Sequence, residues 1–396
     1  MIRTDNQRSS IAIFEPYVWE KAYGNLRYIG YIFKYLNRSQ FLPLLLVPRS
    51  TRFTNELAKC GGQVISVPSP ARLASYNKLL LRRGPMMKAI PSLLAYNYRI
   101  ACILRRHKVS VLQCHNVRAA FMAGLGARLA RCPLVLYIKT MLVNPRLDRV
   151  AFALADKVLF QNRTNLDACR SGLIERHKHK IEVLCNGVDL EEVARAEGKA
   201  DADLRNTFRV RDDRLNLACL ATLSPYKGLD YLLEAAAIVH PTVPVALYLI
   251  GTDEQFPGYK NKLEQFAREK GLEVSFLGYQ REPLQILALM DALVLPSLHE
   301  DAPRSVMEAM ALGKPVIATT VGGLPGMIEN GIHGFLVETR NALALAGAIT
   351  NLARSPELMR EMGLRARRIA RERYSLADNI RGLERIYMGL CRSAAA

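Results

Sequence analysis

Short runs of β-branched and aliphatic residues recur along this chain, separated by longer stretches in which apolar positions return every three or four residues. The first half carries IAIF (11–14), LLLV (44–47), VISV (64–67), VSVLQ (109–113), LVLYI (134–138), KVLF (157–160) and IEVL (181–184). The second half carries LACLA (217–221), ALYLI (246–250), VSFLG (274–278), ALVLP (292–296), PVIAT (315–319) and GFLV (334–337). Such runs suit strands buried on both faces, and the helical stretches between them, for example 24–37, 117–131 and 163–171, supply the crossovers that parallel strands need. The pattern predicts an α/β protein of two doubly wound domains. The boundary falls in the charged, alanine-rich stretch 190–214, which has no strand pattern and reads as helix and linker. We expect one domain over 1–190, a linker over 191–214 and a second domain over 215–374. Helices are expected at about 341–353, 356–371 and 377–392, the last with Ile380, Leu383, Ile386, Tyr387 and Leu390 at helical spacing.

The 396 residues are too many for one ordinary core, and a composition 50% hydrophobic and 23% charged can bury enough apolar surface to offset chain entropy. The polar start MIRTDNQRSSIAIFEP lacks the basic head and long apolar stretch of a signal peptide. The longest apolar runs, FLPLLLV (41–47) among them, fall short of the roughly 20 residues needed to cross a bilayer, so no span is expected. The eight cysteines form no CxxC pair and have no histidine at metal-ligand spacing, which fits free, mostly buried thiols in a reducing cytoplasm.

Charge changes the picture. The net charge is +19, and from Leu57 to Leu147 there is no Asp or Glu but many Lys and Arg. A field of that sign attracts nucleic acid, an anionic membrane or an anionic substrate. Residues 71–108 mix nine Lys/Arg with Leu, Ile, Met and Tyr, a composition suited to an anionic membrane face, although an ordinary basic surface reads the same way. No aromatic-studded basic sheet or zinc pattern is present, so nucleic acid is not the expected partner.

Two segments carry candidate chemistry. In A-T-L-S-P-Y-K-G (221–228) a strand ends and a helix begins, and a helix start at a strand's carboxyl end offers amides to a phosphate, with Lys227 adding a full charge before Gly228. Read alone, the segment fits a solvated lysine before a helix-entry glycine more readily, since strand-Lys-Gly turns are common. The second segment is P-S-L-H-E-D-A-P-R-S-V-M-E-A-M-A-L-G-K-P-V-I-A-T (296–319). Pro303 suits the first helical turn, which leaves Glu300 in the preceding loop to accept hydrogen bonds from sugar hydroxyls. Glu308, within the helix, can reach the paired hydroxyls of a ribose, and the amides of Ala302, Pro303's neighbours Arg304 and Ser305 would point at phosphate oxygens. Glu308 stands among Ala309, Met310, Ala311 and Leu312, where a carboxylate needs a partner. Gly322 and Gly323 allow close approach to a ligand or plain turn geometry, and Asn186 to Asp189 reads as a tight turn. His115 ends strand 109–113 as either a site residue or a satisfied loop histidine.

Taken in order, these segments resemble glycosyltransferase family 4, the group 1 family. The matching residues are Leu223 with Lys227-Gly228, Glu300 with Glu308 as E-x7-E, Gly313 and Pro315, Val321-Gly322-Gly323, Asn186 to Asp189, and Asn330-Gly331 with Gly334, Leu336 and Val337. The resemblance covers 105–392 well and the first 100 residues poorly. It implies a GT-B fold, two Rossmann-like domains facing across a cleft, with a closing helix at 375–392 packed back on the first domain. It implies a retaining, metal-independent hexosyltransferase without a cofactor, using a UDP- or GDP-sugar and a glycan or lipid-linked acceptor. The enzyme is then expected in the cytoplasm, peripheral on the inner membrane face. Lys227, Glu300 and His115 become the expected catalytic residues. Donor contacts are expected from Thr222, Lys227, Gly228, Gly278, Tyr279, Arg281, Ala302, Pro303, Arg304, Ser305 and Glu308, with base contacts near Gly278 and Tyr279 mainly through backbone. The acceptor side takes Gly24, Asn25 and Lys139. The chain departs from the family in four places. Thr222 stands where relatives have a diphosphate-binding arginine, a loss that Arg281 or Arg304 could make good. Gly326 stands for a glutamate, Gly24 is the lone glycine of an expected Gly-Gly loop, and Lys139 replaces a sugar-contacting histidine. A nucleotide-sugar epimerase of the same fold would lack the E-x7-E block, and a basic nucleic-acid binder is the other alternative.

Overall fold

The computed structural model describes residues 8–17, 24–70, 83–139, 142 and 144–393, with backbone alone for 83–88. Residues 71–82 of the basic segment lie outside the described residues. The strands are β1 (Ser9–Phe14), β2 (Phe41–Val47), β3 (Gln63–Ser66), β4 (Val109–Cys114), β5 (Leu134–Ile138), β6 (Lys157–Phe160) and β7 (Ile181–Val183), then β8 (Leu215–Leu220), β9 (Val245–Ile250), β10 (Glu273–Gly278), β11 (Ala292–Leu295), β12 (Val316–Thr319) and β13 (Gly334–Val337). Every apolar run singled out above is a strand. They form two parallel sheets, ordered β3-β2-β1-β4-β5-β6-β7 and β10-β9-β8-β11-β12-β13.

Burial follows position in the sheet. The inner strands β5, β9 and β11 are buried throughout, because helices cover both faces, whereas the edge strands β3 and β10 are only partly covered. Strand order reverses between β1 and β4 in one sheet and between β8 and β11 in the other. Successive crossovers there go to opposite faces, which opens a crevice at the carboxyl ends of those strands.

The chain divides into two compact units, one of residues 1–161, 165–184 and 379–396, the other of 162–164 and 185–378. The last helix, Leu376–Ser393, accordingly contributes its residues from Asn379 onward to the first unit. The stretch 190–214 holds two helices, Leu190–Gly198 and Ala202–Thr207, each capped by an aspartate: Asp189 accepts from the Glu191 and Glu192 amides, and Asp201 from that of Leu204. The helix expected over 163–171 is instead two short ones, Arg163–Asp167 and Ser171–His177, because Arg170 between them turns to an extended ψ of 124°. The thiols are less uniformly hidden than expected: Cys114, Cys132 and Cys219 are buried, but Cys60 and Cys102 are exposed. Among the described residues no helix is long and apolar enough to cross a membrane.

Candidate functional site

In the second unit the two chemistry-bearing turns meet at the β8/β11 reversal. After β8 the chain makes a 3-10 turn, Pro225–Lys227, closed by Gly228 at φ +65°. A Cβ on Gly228 would lie 2.0 Å from the Pro296 carbonyl oxygen just past β11, so only glycine lets the two segments come this close. The Leu298 amide then donates to the Tyr226 carbonyl at 2.8 Å. This stitching brings Lys227 Nζ to 2.5 Å from Glu300 Oε1, with the carboxylate side chain 9% exposed and the lysine 23%. Ser297 Oγ donates to the same Oε1 at 2.8 Å, and Thr319 Oγ1, from the end of β12, donates to the Ser297 carbonyl at 2.5 Å. A charge pair this sheltered is screened less by salt and water than one on the surface.

The loop bearing Glu300 leads into the helix Arg304–Ala311. Pro303 is its N-cap, one place earlier than the first turn expected for it, and no side chain caps the helix, so the opening amides remain available to an anion. Glu308 is buried and does have a partner: Arg304, one turn earlier, approaches its Oε1 to 3.1 Å. Another guanidinium nitrogen of Arg304 donates to the Gly187 carbonyl at 3.1 Å. The Asn186 to Asp189 turn that supplies this carbonyl is anchored by the Val188 amide donating to Tyr374 O at 2.8 Å.

The turn geometry expected of the glycine pair is present, with Gly322 at φ +53° in the turn after β12, and the two residues also pack against backbone. A Cβ on Gly322 would sit 1.5 Å from the Glu300 carbonyl oxygen, and one on Gly323 1.8 Å from that of Asp301. The pair lets the β12 loop press directly on the backbone that presents Glu300. Asn162 Nδ2 adds a hydrogen bond to Asp301 O at 3.1 Å.

The other expected donor residues are placed less evenly. Thr222 is half-buried at the end of β8, and Ala302 and Ser305 flank the helix start. Gly278, at φ +65°, ends β10 and accepts from the Gly251 amide at 2.9 Å, with Tyr279 half-buried beside it. Arg281 is exposed beyond β10, an edge strand two places from β8, whereas Arg304 stands in the helix that follows Glu300.

In the first unit, Gly24 opens the helix Gly24–Tyr35 at φ +37°. Asn25 in that helix donates to the Glu15 carboxylate, whose other oxygen accepts from the Tyr17 amide at 3.3 Å. Burial pushes the Glu15 carboxyl up to about 7, against these two hydrogen bonds and the positive charge of Lys139. Lys139 Nζ lies 3.2 Å from the ring centroid of Tyr28 and 4.3 Å from that of Tyr137. His115 is buried and held well below the ordinary histidine value by desolvation, with the Lys139 charge acting the same way.

Two family models match the chain, glycosyltransferase family 4 over residues 50–192 and glycosyl transferases group 1 over 214–355. The chain belongs to this glycosyltransferase family. A relative from Escherichia coli, "UDP-Gal:alpha-D-GlcNAc-diphosphoundecaprenol alpha-1,3-galactosyltransferase", is 23% identical over 78% of this chain and 81% of its own. Among solved structures, Anabaena HepE in complex with UDP superposes with a TM-score of 0.78 at 21% identity, over 96% of this chain and 100% of that one. A glycosyltransferase from Rickettsia africae gives 0.81 at 20% identity, over 97% and 98%. The fold is GT-B.

One departure of this glycosyltransferase from its family, Gly326, has a local explanation. A Cβ at Gly326 would come 2.9 Å from Thr164 Oγ1, so the glutamate of relatives would need Thr164 to give way. Reading spacing along the chain missed Ser297 and Thr319, which support Glu300 from neighbouring strands. It also missed Glu15, although an acid directly after the apolar run IAIF was a visible signal.

Proposed function

We propose that this glycosyltransferase moves a sugar, with retention of anomeric configuration, from a UDP- or GDP-sugar to a glycan or lipid-linked acceptor at an anionic membrane surface. The observation that carries the donor reading is the Lys227–Glu300 pair at the β8/β11 reversal, next to an uncapped helix start. In this reading the ammonium and the helix amides take the charge of the departing diphosphate, without a metal. Glu300 accepts hydrogen bonds from hydroxyls of the transferred sugar, and Glu308 from the ribose. The acceptor hydroxyl attacks the anomeric carbon on the face from which the diphosphate leaves. Its oxygen forms the new bond as the carbon–phosphate oxygen bond breaks, and the departing phosphate takes its proton. The first unit, with Asn25, His115 and Lys139, holds the acceptor.

UDP is the first nucleotide to test, since HepE binds it. Calorimetry on the full chain is expected to show UDP or GDP binding. With an α-configured donor and a polyprenyl-diphosphate sugar, proton NMR of the product should show an α linkage. Absence of binding to either nucleotide overturns the donor reading, and a β product overturns retention.

The membrane reading rests on the helix Arg83–Arg106. Ile90, Leu94 and Tyr98, spaced four apart on one face, are 44%, 51% and 65% exposed. Arg99, Arg105 and Arg106 are exposed in the same helix and Lys108 just beyond it. Each basic residue near an anionic surface contributes about 1 kcal/mol, so a handful holds the protein there at low salt. Co-sedimentation with phosphatidylserine-containing vesicles is expected to exceed that with phosphatidylcholine alone, and to fall on adding salt. Equal pelleting with both at low salt overturns this part.

A further inference from the structure

On the first sheet, Ile13 pairs with Gln113 and Phe14 with Cys114, while Gln113 pairs with Val135 and Cys114 with Leu136. Side chains alternate along a strand, so Glu15, His115, Tyr137 and Lys139 share one face at the carboxyl ends of β1, β4 and β5. β1 and β4 are the strands between which the order reverses, where a doubly wound sheet takes its ligand. That face is covered by the helix Gly24–Tyr35, through Asn25 and Tyr28, and by the last helix, through Asn379 and Tyr387.

A polar network fixes the chemistry each group presents. Tyr28 donates to Asn379 Oδ1 at 2.6 Å, and Asn379 Nδ2 donates to the Tyr137 hydroxyl at 3.2 Å. The Tyr387 hydroxyl donates to Gln113 Oε1 at 2.6 Å, which turns the Gln113 amide hydrogens toward His115 Nε2, 2.6 Å away. Nε2 is therefore the acceptor and the ring hydrogen sits on Nδ1. His115 Nδ1 is buried with no hydrogen-bond partner among the described residues, in a side chain 1% exposed. Glu15, 3% exposed, receives only the Tyr17 amide and Asn25 among them, although a carboxylate can accept about four hydrogen bonds. A spare donor and spare acceptor sites thus stand on adjacent strand ends.

We infer that Glu15 is an acceptor-recognition residue, whose carboxylate, together with His115 Nδ1–H, binds adjacent hydroxyls of a neutral polyol, a sugar or cyclitol ring. This rests on the reading that the first unit holds the acceptor. Each ring hydroxyl both donates and accepts, so neighbouring hydroxyls satisfy an acceptor and a donor side by side. Above about pH 7, where Glu15 is ionised, its charge disfavours an anionic group there. The residue also costs stability, which a purely structural strut would not. Its folded state keeps the proton up to about pH 7 whereas the unfolded chain releases it near 4.5, so over that window the folded state binds more protons and stability falls as pH rises. The titratable groups around it are Lys139, just past β5, and the Cys114 thiol ending β4, with His115 next along on its face of the sheet.

Saturation-transfer NMR on the full chain, with glucose, N-acetylglucosamine and myo-inositol as probes, tests this. The wild type is expected to give a signal with at least one of them. Glu15→Gln should weaken that binding about tenfold or more, the size of one hydrogen bond to a charged group. The same variant should melt at a higher temperature than wild type at pH 8, with the gap shrinking toward pH 5. No polyol signal from the wild type, an undiminished signal in Glu15→Gln, or a lower melting temperature at pH 8 overturns the assignment. If Lys139→Met and His115→Phe also leave polyol binding untouched, the acceptor reading of the first unit fails as well. If those two weaken binding and Glu15→Gln does not, only the role of Glu15 fails.

Discussion

Lys227→Ala is expected to lower kcat for sugar transfer about 100- to 1000-fold, the usual loss when one group that meets developing negative charge is removed. Charge builds on the diphosphate as the anomeric bond breaks, so an ammonium placed there gains more in the transition state than in the bound donor. Donor affinity should fall less than kcat. The structure adds a second consequence. Glu300 is 9% exposed and would lose its counter-charge, keeping the Ser297 hydroxyl, so the variant should also unfold more readily. Glu300→Gln in the Lys227→Ala background relieves the second effect without restoring the first. A single-turnover assay with saturating donor, run beside thermal unfolding, separates the two. A kcat within threefold of wild type sinks the role assigned to the lysine.

The two turns that meet here were each legible as motifs, because strand, lysine, glycine and helix occur in order, as do strand, acid, proline and helix. Their pairing was not, since Lys227 and Glu300 are 73 residues apart and only the β8-β11 adjacency joins them. The strands were read correctly because a fully buried strand such as VALYLI has no polar interruptions to mislead. The break at Arg170 is marked only by the Ser171-Gly172 pair that follows it, inside a stretch otherwise at helical spacing. Support that crosses strands, such as Thr319 to Ser297 to Glu300, leaves no periodic trace. The buried partner of Glu308 lay within reach, since Arg304 is one helical turn away in sequence, where opposite charges attract. What the sequence pointed to least was the start of the first unit, because the resemblance covers the first 100 residues poorly and Glu15 carries no motif.

Glu308→Ala is expected to raise the Kd for UDP about ten- to a hundredfold, the worth of hydrogen bonds from ribose hydroxyls to a charged acceptor. The buried ion pair complicates this, because Glu308 approaches Arg304 at 3.1 Å and removing it takes that carboxylate from a guanidinium that is 11% exposed and still donates to the Gly187 carbonyl. Breaking such a pair costs on the order of 3 kcal/mol of stability, and a displaced Arg304 would itself disturb the helix start. Two kinds of loss must therefore be told apart. The nucleotide can be truncated in parallel with the protein: if Glu308 binds the ribose, the substitution should cost much more affinity for UDP than for 2′,3′-dideoxy-UDP, which lacks the hydroxyls. If the carboxylate only holds Arg304, both nucleotides lose the same factor, and Arg304→Ala reproduces it. Isothermal titration of the four protein–nucleotide combinations decides between them, and equal losses for the two nucleotides would overturn the ribose assignment while leaving the Lys227–Glu300 pair untouched.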